Sequence, residues 1–313
     1  MLSLARNQLT QADVQALADS VMSKPGSKWL LVDLALIVPT KSNRLAKSLG
    51  WHSTAAFLDS CLDAFGENGP QLISIPDLSE SDWGQALQQW VALDPTGAGL
   101  SIIGSLSALT EVSWALRYLA LATVGDDLTL HCRCADARVL THLLPILTAP
   151  QAAKLVPTID TWWWWDAQGR VGSWTPDQAG ALPPGSVTSI SSDHLQLSNT
   201  QYAEMMDRSE PDIIFSLLMD KTSELVPETD RGDFRVVLQR ILETATRYAV
   251  TQTPDRLQFT VLSLATGESF HMHPALKAMW QRIREQGASL SQEMDAWSDE
   301  LWADLDHGRR PAQ

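Results

Sequence analysis

Two short runs in the chain carry side chains that could ligate a metal. His131-Cys132-Arg133-Cys134 places an imidazole and two thiols within four residues, and His271-Met272-His273 places two imidazoles two residues apart. A thiolate zinc site takes Cys-x-x-Cys geometry, so that both sulfurs turn onto one ion, and needs a second ligand pair elsewhere. On a strand His131 points away from both thiols, and no second cluster pairs with them. His271 and His273 would share one face of a strand, as in the His-x-His of some metallohydrolases. Yet Pro274 follows at once, and no Asp/Glu cluster of the usual kind lies nearby. Buried structural thiols, and a helix entry at His273, are the readings taken. There is no Gly-x-Ser-x-Gly elbow, phosphate-cradling glycine loop or His-Glu-x-x-His. Gly97-Ala98-Gly99 precedes a strand, the wrong side for a dinucleotide fingerprint. The expectation is a chain that is not an enzyme and has no cofactor and no metal.

Three other groups could act through binding. Arg133, Asp136 and Arg138 lie where a strand ends and a helix begins. Asp136 suits a helix N-cap, its carboxylate accepting backbone N–H groups, and Arg133 could pair with a carboxylate at the strand end. These residues therefore mark the fold before they mark a contact surface. Trp162, Trp163, Trp164 and Trp165 alternate between two faces of a strand. One pair fills a core; the other is either covered or forms an exposed aromatic patch, which would be a partner site. In the last helix Trp297, Leu301, Trp302 and Leu305 share a face ringed by acidic side chains. That face docks on its own domain or engages a partner.

The elements that must position these groups read as an alternation. A helix from Thr10 to about Met22 leads to a buried strand, Trp29–Val38, and a helix near Thr54–Phe65. Then come the strand Leu72–Ile75, a helix from Ser79 to about Leu93, the strand Leu100–Gly104 and the helix Leu109–Leu121. The strand Leu128–Arg133, an apolar helix to Leu147 and the hairpin Thr158–Trp165 with Arg170–Trp174 complete the series. Alternation of this kind implies an α/β lobe with a mostly parallel sheet and an antiparallel hairpin edge. Pro176 to Ser192 is rich in Gly, Pro and Ser without periodicity, so the lobes divide there, as 1–185 and 192–313. The second lobe reads as all-helical: Thr200–Met219, Asp233–Ala249, Pro254–Leu264, Pro274–Glu285 and Leu290–Leu305.

The chain has 313 residues, 44% of them apolar, enough for more than one core. Its formal charge of −14 disfavours nucleic acid and anionic membranes and suits basic or apolar protein partners. The N-terminus lacks the basic-then-apolar order of a secretory signal, and the longest apolar run is interrupted by Asp33. Three cysteines, Cys61, Cys132 and Cys134, are too sparse for a disulfide framework. A cytoplasmic protein with reduced thiols is expected.

The order of these features resembles the adaptor (chaperone) family that loads toxic effectors onto the type VI secretion spike. In that family an Arg-x-x-Asp-Pro-Arg-Val-Leu pattern opens a helix, and a strand ending in an acidic-x-x-Gly hairpin follows. Here the pattern stands as Arg133, Asp136, Arg138, Val139 and Leu140, with Ala137 in the proline position, and Asp166 to Gly169 forms the hairpin turn. Asp33 occupies the acidic position of the family's opening strand. Asp255–Phe259, Gly267–Phe270 and the Trp280 helix follow in the family's order. Each motif is short; their order and spacing carry the resemblance. It implies a non-catalytic cytoplasmic adaptor that binds a cognate effector and promotes its loading onto the VgrG spike, directly or through the cargo. The alternatives are an immunity-type inhibitor of a toxin and a metal-dependent hydrolase built around His271 and His273.

Overall fold

A computed structural model describes residues 4–57, 62, 69–125, 128–176 and 194–307. In chain order the elements are α1 (Gln11–Met22), β1 (Ser27–Val32), α2 (Pro39–Ser48), β2 (His52–Ala55), β3 (Gln71–Ile75), α3 (Glu80–Val91), β4 (Leu100–Ser105) and α4 (Leu109–Ala120). There follow β5 (Leu121–Val124), β6 (Leu128–His131), α5 (Ala137–Leu143), α6 (Ala149–Ala153), β7 (Thr161–Trp165), β8 (Val171–Trp174) and β9 (Leu195–Leu197). The remainder is helical: α7 (Asn199–Lys221), α8 (Arg231–Arg247), α9 (Thr253–Thr266), α10 (Lys277–Gln286), α11 (Leu290–Met294) and α12 (Asp299–His307). The chain forms two compact units, Asn7–Arg208 and Met1–Arg6 with Ser209–Gln313, and the division falls inside α7. The Gly/Pro/Ser stretch read as the lobe boundary lies largely outside the described residues, as does Cys61.

The main sheet corrects the expected topology. Its six strands run in the order β2-β3-β1-β4-β7-β8, and every neighbouring pair is antiparallel. The physical reason lies in two interleaved crossovers. β3 and β4, joined through α3, are parallel to each other, but β1 lies between them and pairs with both. Likewise β1 and β2, joined through α2, run the same way with β3 between them. Strand–helix–strand alternation marks a crossover without saying whether its strands are adjacent or next but one. A second sheet, β6-β5-β9, holds the only parallel pair among the described residues, β5 with β9.

Both faces of the main sheet are covered. Leu30 and Val32 of β1, Leu100 and Ile102 of β4, and Trp163 and Trp165 of β7 face one core, filled by α1 and α3 through Val14, Leu17, Leu87 and Trp90. Leu31, Ile103, Trp162 and Trp164 face the other, with Leu116 and Leu119 of α4 and Leu140 and Leu143 of α5. This is the two-residue period of a strand buried on both sides.

Other local expectations also shift. β1 ends at Val32, short of Val38, because Asp33 turns the chain; α2 then starts with Pro39 in its first turn, where a fixed φ suits a helix entry. The helix expected from Thr54 is instead β2, whose Ser-Thr residues pair in register with β3; the rest of that expected helix lies mostly outside the described residues. Leu121–Val124 continues straight from α4 as β5 and makes a hairpin with β6.

In the other unit two apolar clusters form. Ile241, Phe259, Phe270, Trp280 and Ile283 centre one, and Ala5, Ile214, Phe215, Leu238 and Leu242 the other. The last expected helix is two short ones, α11 and α12, with Trp297 between them.

Candidate functional site

Asp33 follows the last residue of β1. Its N–H donates to Gly99 O at 2.9 Å, and its carbonyl accepts from the N–H groups of Leu36 and Ile37. Oδ1 accepts from Ala35 N–H at 2.8 Å, which closes the turn. Gly99 permits this approach, since a Cβ there would sit 3.1 Å from Leu36 Cβ. Oδ2 remains, and accepts from Arg133 Nη2 at 2.7 Å, across 100 residues of chain.

Asp136 organises the other side. Its Oδ1 accepts from Arg138 N–H and Nε, both at 3.0 Å, and its Oδ2 from Arg138 Nη2 at 2.7 Å. Arg133 Nη2 lies 3.7 Å from the same carboxylate. Asp136 is the N-cap of α5, so one side chain satisfies a free helix N–H and holds two guanidiniums. The next N–H, of Ala137, donates to Ala98 O at 2.7 Å and fastens the helix start to the turn before β4. The carboxylates are buried, 7% and 1% exposed, whereas Arg133 and Arg138 are 37% and 28% exposed. Two negative charges removed from water are thus met by two cations that stay partly hydrated. His131 lies in the same field. Burial, and then Arg133, lower its pKa, while Asp33 opposes them.

Arg133, Asp136, Arg138 and Asp33 therefore form one ion network at the end of the main sheet. Residues 28–154 match a known family. Its description is Domain of unknown function (DUF4123), and the match takes in all four residues of the network while covering less than half of the chain. No curated protein and no solved structure matches.

The tryptophan strand lies beyond the matched segment. Trp162, Trp163, Trp164 and Trp165 are 0%, 3%, 6% and 0% exposed, so β7 offers no aromatic patch, and the candidate partner site placed there is corrected to core. Glycines make room for the rings. A Cβ on Gly104 would lie 2.9 Å from Trp163 Cζ3, and one on Gly172 would lie 2.8 Å from Trp164 Cε2. Trp162 Nε1 donates to Ser101 Oγ at 3.0 Å and Trp165 Nε1 to Asp13 O at 3.0 Å, which satisfies two indoles in an apolar setting.

Trp297 and Trp302 are half-buried. Their rings lie 4.8 Å apart, packed against the cluster that holds Leu290 and Leu305. Self-docking accounts for most of this apolar face.

The thiols and imidazoles take structural places. Cys132 and Cys134 are buried free thiols; burial pushes Cys132 up to about 11 and Cys134 further in the same direction. A thiol held protonated is a poor nucleophile. His271 sits among Tyr248, Phe259 and Phe270, its carbonyl accepting from Trp280 Nε1 at 2.8 Å. Burial lowers its pKa most, and Arg247 adds to this, against a hydrogen bond with the Glu268 backbone. His273 Nδ1 accepts from Ala275 N–H at 3.3 Å, capping the turn that leads into α10. Among the described residues no group of three or more His, Cys, Asp or Glu side chains is arranged to hold a metal. No helix among them is long and apolar enough to cross a membrane.

The motif Asp255–Phe259 also resolves into packing. Asp255 accepts from Ser289 Oγ and from Leu290 and Ser291 N–H at 3.0–3.2 Å, capping α11. Beside it Arg256 binds Glu210 through two nitrogens and donates to Thr246 Oγ1, Val250 O and Leu242 O. Sequence patterning had singled out neither Arg256 nor Glu210. A lone arginine in a helix gives no such signal until a carboxylate 46 residues away is seen against it.

Proposed function

We propose that this chain is an effector adaptor of a type VI secretion system. It binds a cognate effector, shields it, and promotes its loading onto the VgrG spike without catalysing a reaction. The observation that carries the reading is the match of residues 28–154 to the DUF4123 family, which is consistent with such a role. The resemblance of the surrounding motifs adds to it, since Arg133, Asp136, Arg138 and Asp33 meet in one network that ties the start of α5 to the end of β1. In this reading the network sets the frame, and the partner surface lies elsewhere on the chain. A net charge of −14 favours a cargo with basic or apolar segments.

The test is co-expression of the tagged chain with the large protein encoded beside its gene, followed by size-exclusion chromatography. A complex that co-elutes, and an effector whose export needs this chain, are the expected results. Protection of a target cell from the toxin by this chain alone would assign it as an inhibitor instead.

A further inference from the structure

β8 is the last strand of the main sheet, and its outer edge is unpaired among the described residues. Asp166 N–H donates to Arg170 O at 2.8 Å, which fixes that pair as hydrogen-bonded across the hairpin. Antiparallel ladders alternate, so Trp164↔Gly172 and Trp162↔Trp174 are the next bonded pairs. The N–H and C=O groups of Val171 and Ser173 then point away from β7. Edges are ordinarily guarded by a charge, a proline, a bulge or a covering element. The Val-Gly-Ser-Trp of β8 carries no charge or proline, and its register with β7 is one-to-one. The edge of β9 differs, because Gln151 Nε2 donates to Gln196 O there. β2 is also an outer strand, but its residues are mostly polar and α2 packs against it.

A second observation points to the same place. Trp164 is 6% exposed, and its indole lies flat against Gly172. Its Nε1 is 2.8 Å from where a Cβ on Gly172 would be, so the missing side chain of Gly172 leaves that donor beside the outer edge of β8. Arg170 is on the same face as Gly172 and is 72% exposed, although paired with Asp166. A donor and a guanidinium on one face favour an incoming carboxylate.

We infer that the β8 edge is a strand-addition site for an extended segment of the partner protein, with an Asp or Glu side chain placed over Gly172. This rests on the adaptor reading. The partner's backbone pairs with Val171 and Ser173, and the carboxylate accepts from Trp164 Nε1 beside Arg170. A second copy of this chain is the poorer occupant, because pairing through strands of four residues buries far less than the roughly 1,200–2,000 Å² of a stable interface. A segment tethered to a partner docked elsewhere has no such deficit.

The test uses the co-purified complex with the neighbouring gene product. Ser173→Pro removes an outward N–H and leaves the inner ladder intact, while Ser173→Ala keeps that N–H. Affinity is expected to fall about tenfold for Ser173→Pro, as for loss of one or two hydrogen bonds, and to hold for Ser173→Ala. Arg170→Gln is expected to weaken binding several-fold; an unchanged affinity would overturn the carboxylate. Hydrogen exchange on the wild-type complex decides the matter if Ser173→Pro does not fold: the amides of Val171 and Ser173 should slow on binding. A folded Ser173→Pro of full affinity, or no change at those amides, overturns the inference and leaves the adaptor reading standing. A wild-type chain that binds no neighbour-encoded protein overturns both. A dimer of the free chain that Ser173→Pro abolishes makes the occupant a second copy and overturns the partner assignment.

Discussion

Replacing Asp136 separates the two tasks its carboxylate performs. Asp136→Ala removes the acceptor for Arg138 N–H at the start of α5 and the counter-charge for Arg138 and Arg133. Loss of an N-cap costs about 1 kcal/mol. Breaking a fully buried ion pair costs about 3–5 kcal/mol. Here the guanidiniums are 37% and 28% exposed, so water replaces much of what they lose, and about 1–2 kcal/mol is the fitting share. The sum is about 2–3 kcal/mol for Asp136→Ala. Asparagine caps a helix as well as aspartate does, so Asp136→Asn should cost only the ionic share, about 1–2 kcal/mol. All but three of the 13 tryptophans (Trp280, Trp297 and Trp302) lie in the unit of residues 7–208, so intrinsic fluorescence in a urea titration follows the right part of the chain. Equal losses for the two variants would refute the capping argument. An Asp136→Ala of wild-type stability that no longer binds its partner would refute the structural role, and would turn the network into a contact surface.

Four further outcomes follow from the structure. Gly104→Ala and Gly172→Ala each push a Cβ to within 3 Å of an indole ring carbon, and should cost about 1–3 kcal/mol by urea denaturation. Gly50→Ala, with φ +69 but open space around it, should lose about 1 kcal/mol from backbone strain alone. The fold raises the pKa of Cys132 from 9.0 to about 11, so it holds a proton that the unfolded chain releases. Stability should therefore be complete below about pH 9 and fall as pH rises from there through about 11, with iodoacetamide at pH 8 sparing Cys132 and Cys134 until urea is added. Asp255→Ala strips three donors around α11 of their acceptor; faster hydrogen exchange over residues 289–294, with the β7 region unchanged, is the expected signature.

Local physics was legible where one residue decides it. Ser79 and Asp136 at helix N-caps and the alternation of β7 through its four tryptophans could be read from short windows. The sheet direction could not. Whether β3 and β4 touch or admit β1 between them depends on pairings far apart in sequence, such as Val32 with Gln71 and with Leu100, and both arrangements use the same string of strand, helix and strand. The network was half legible. Arg133 at a strand end asks for a carboxylate, but nothing local names Asp33. The fate of the tryptophans was hidden as well, since the space they fill comes from Gly104 and Gly172 on two different neighbouring strands.

The place of β1 bears on how the chain is made. It leaves the ribosome before both of its neighbours, so neither of its edges has a partner until β3 and β4 have been synthesised, and β4 in turn waits for β7. Long-range pairing of this kind slows folding, because loop-closing entropy is lost before any contact is gained. The family match stops at residue 154, before β7 begins at Thr161. A fragment cut at those bounds would end with the apolar β4 as an unfinished edge, and fragments for expression should run past Trp174.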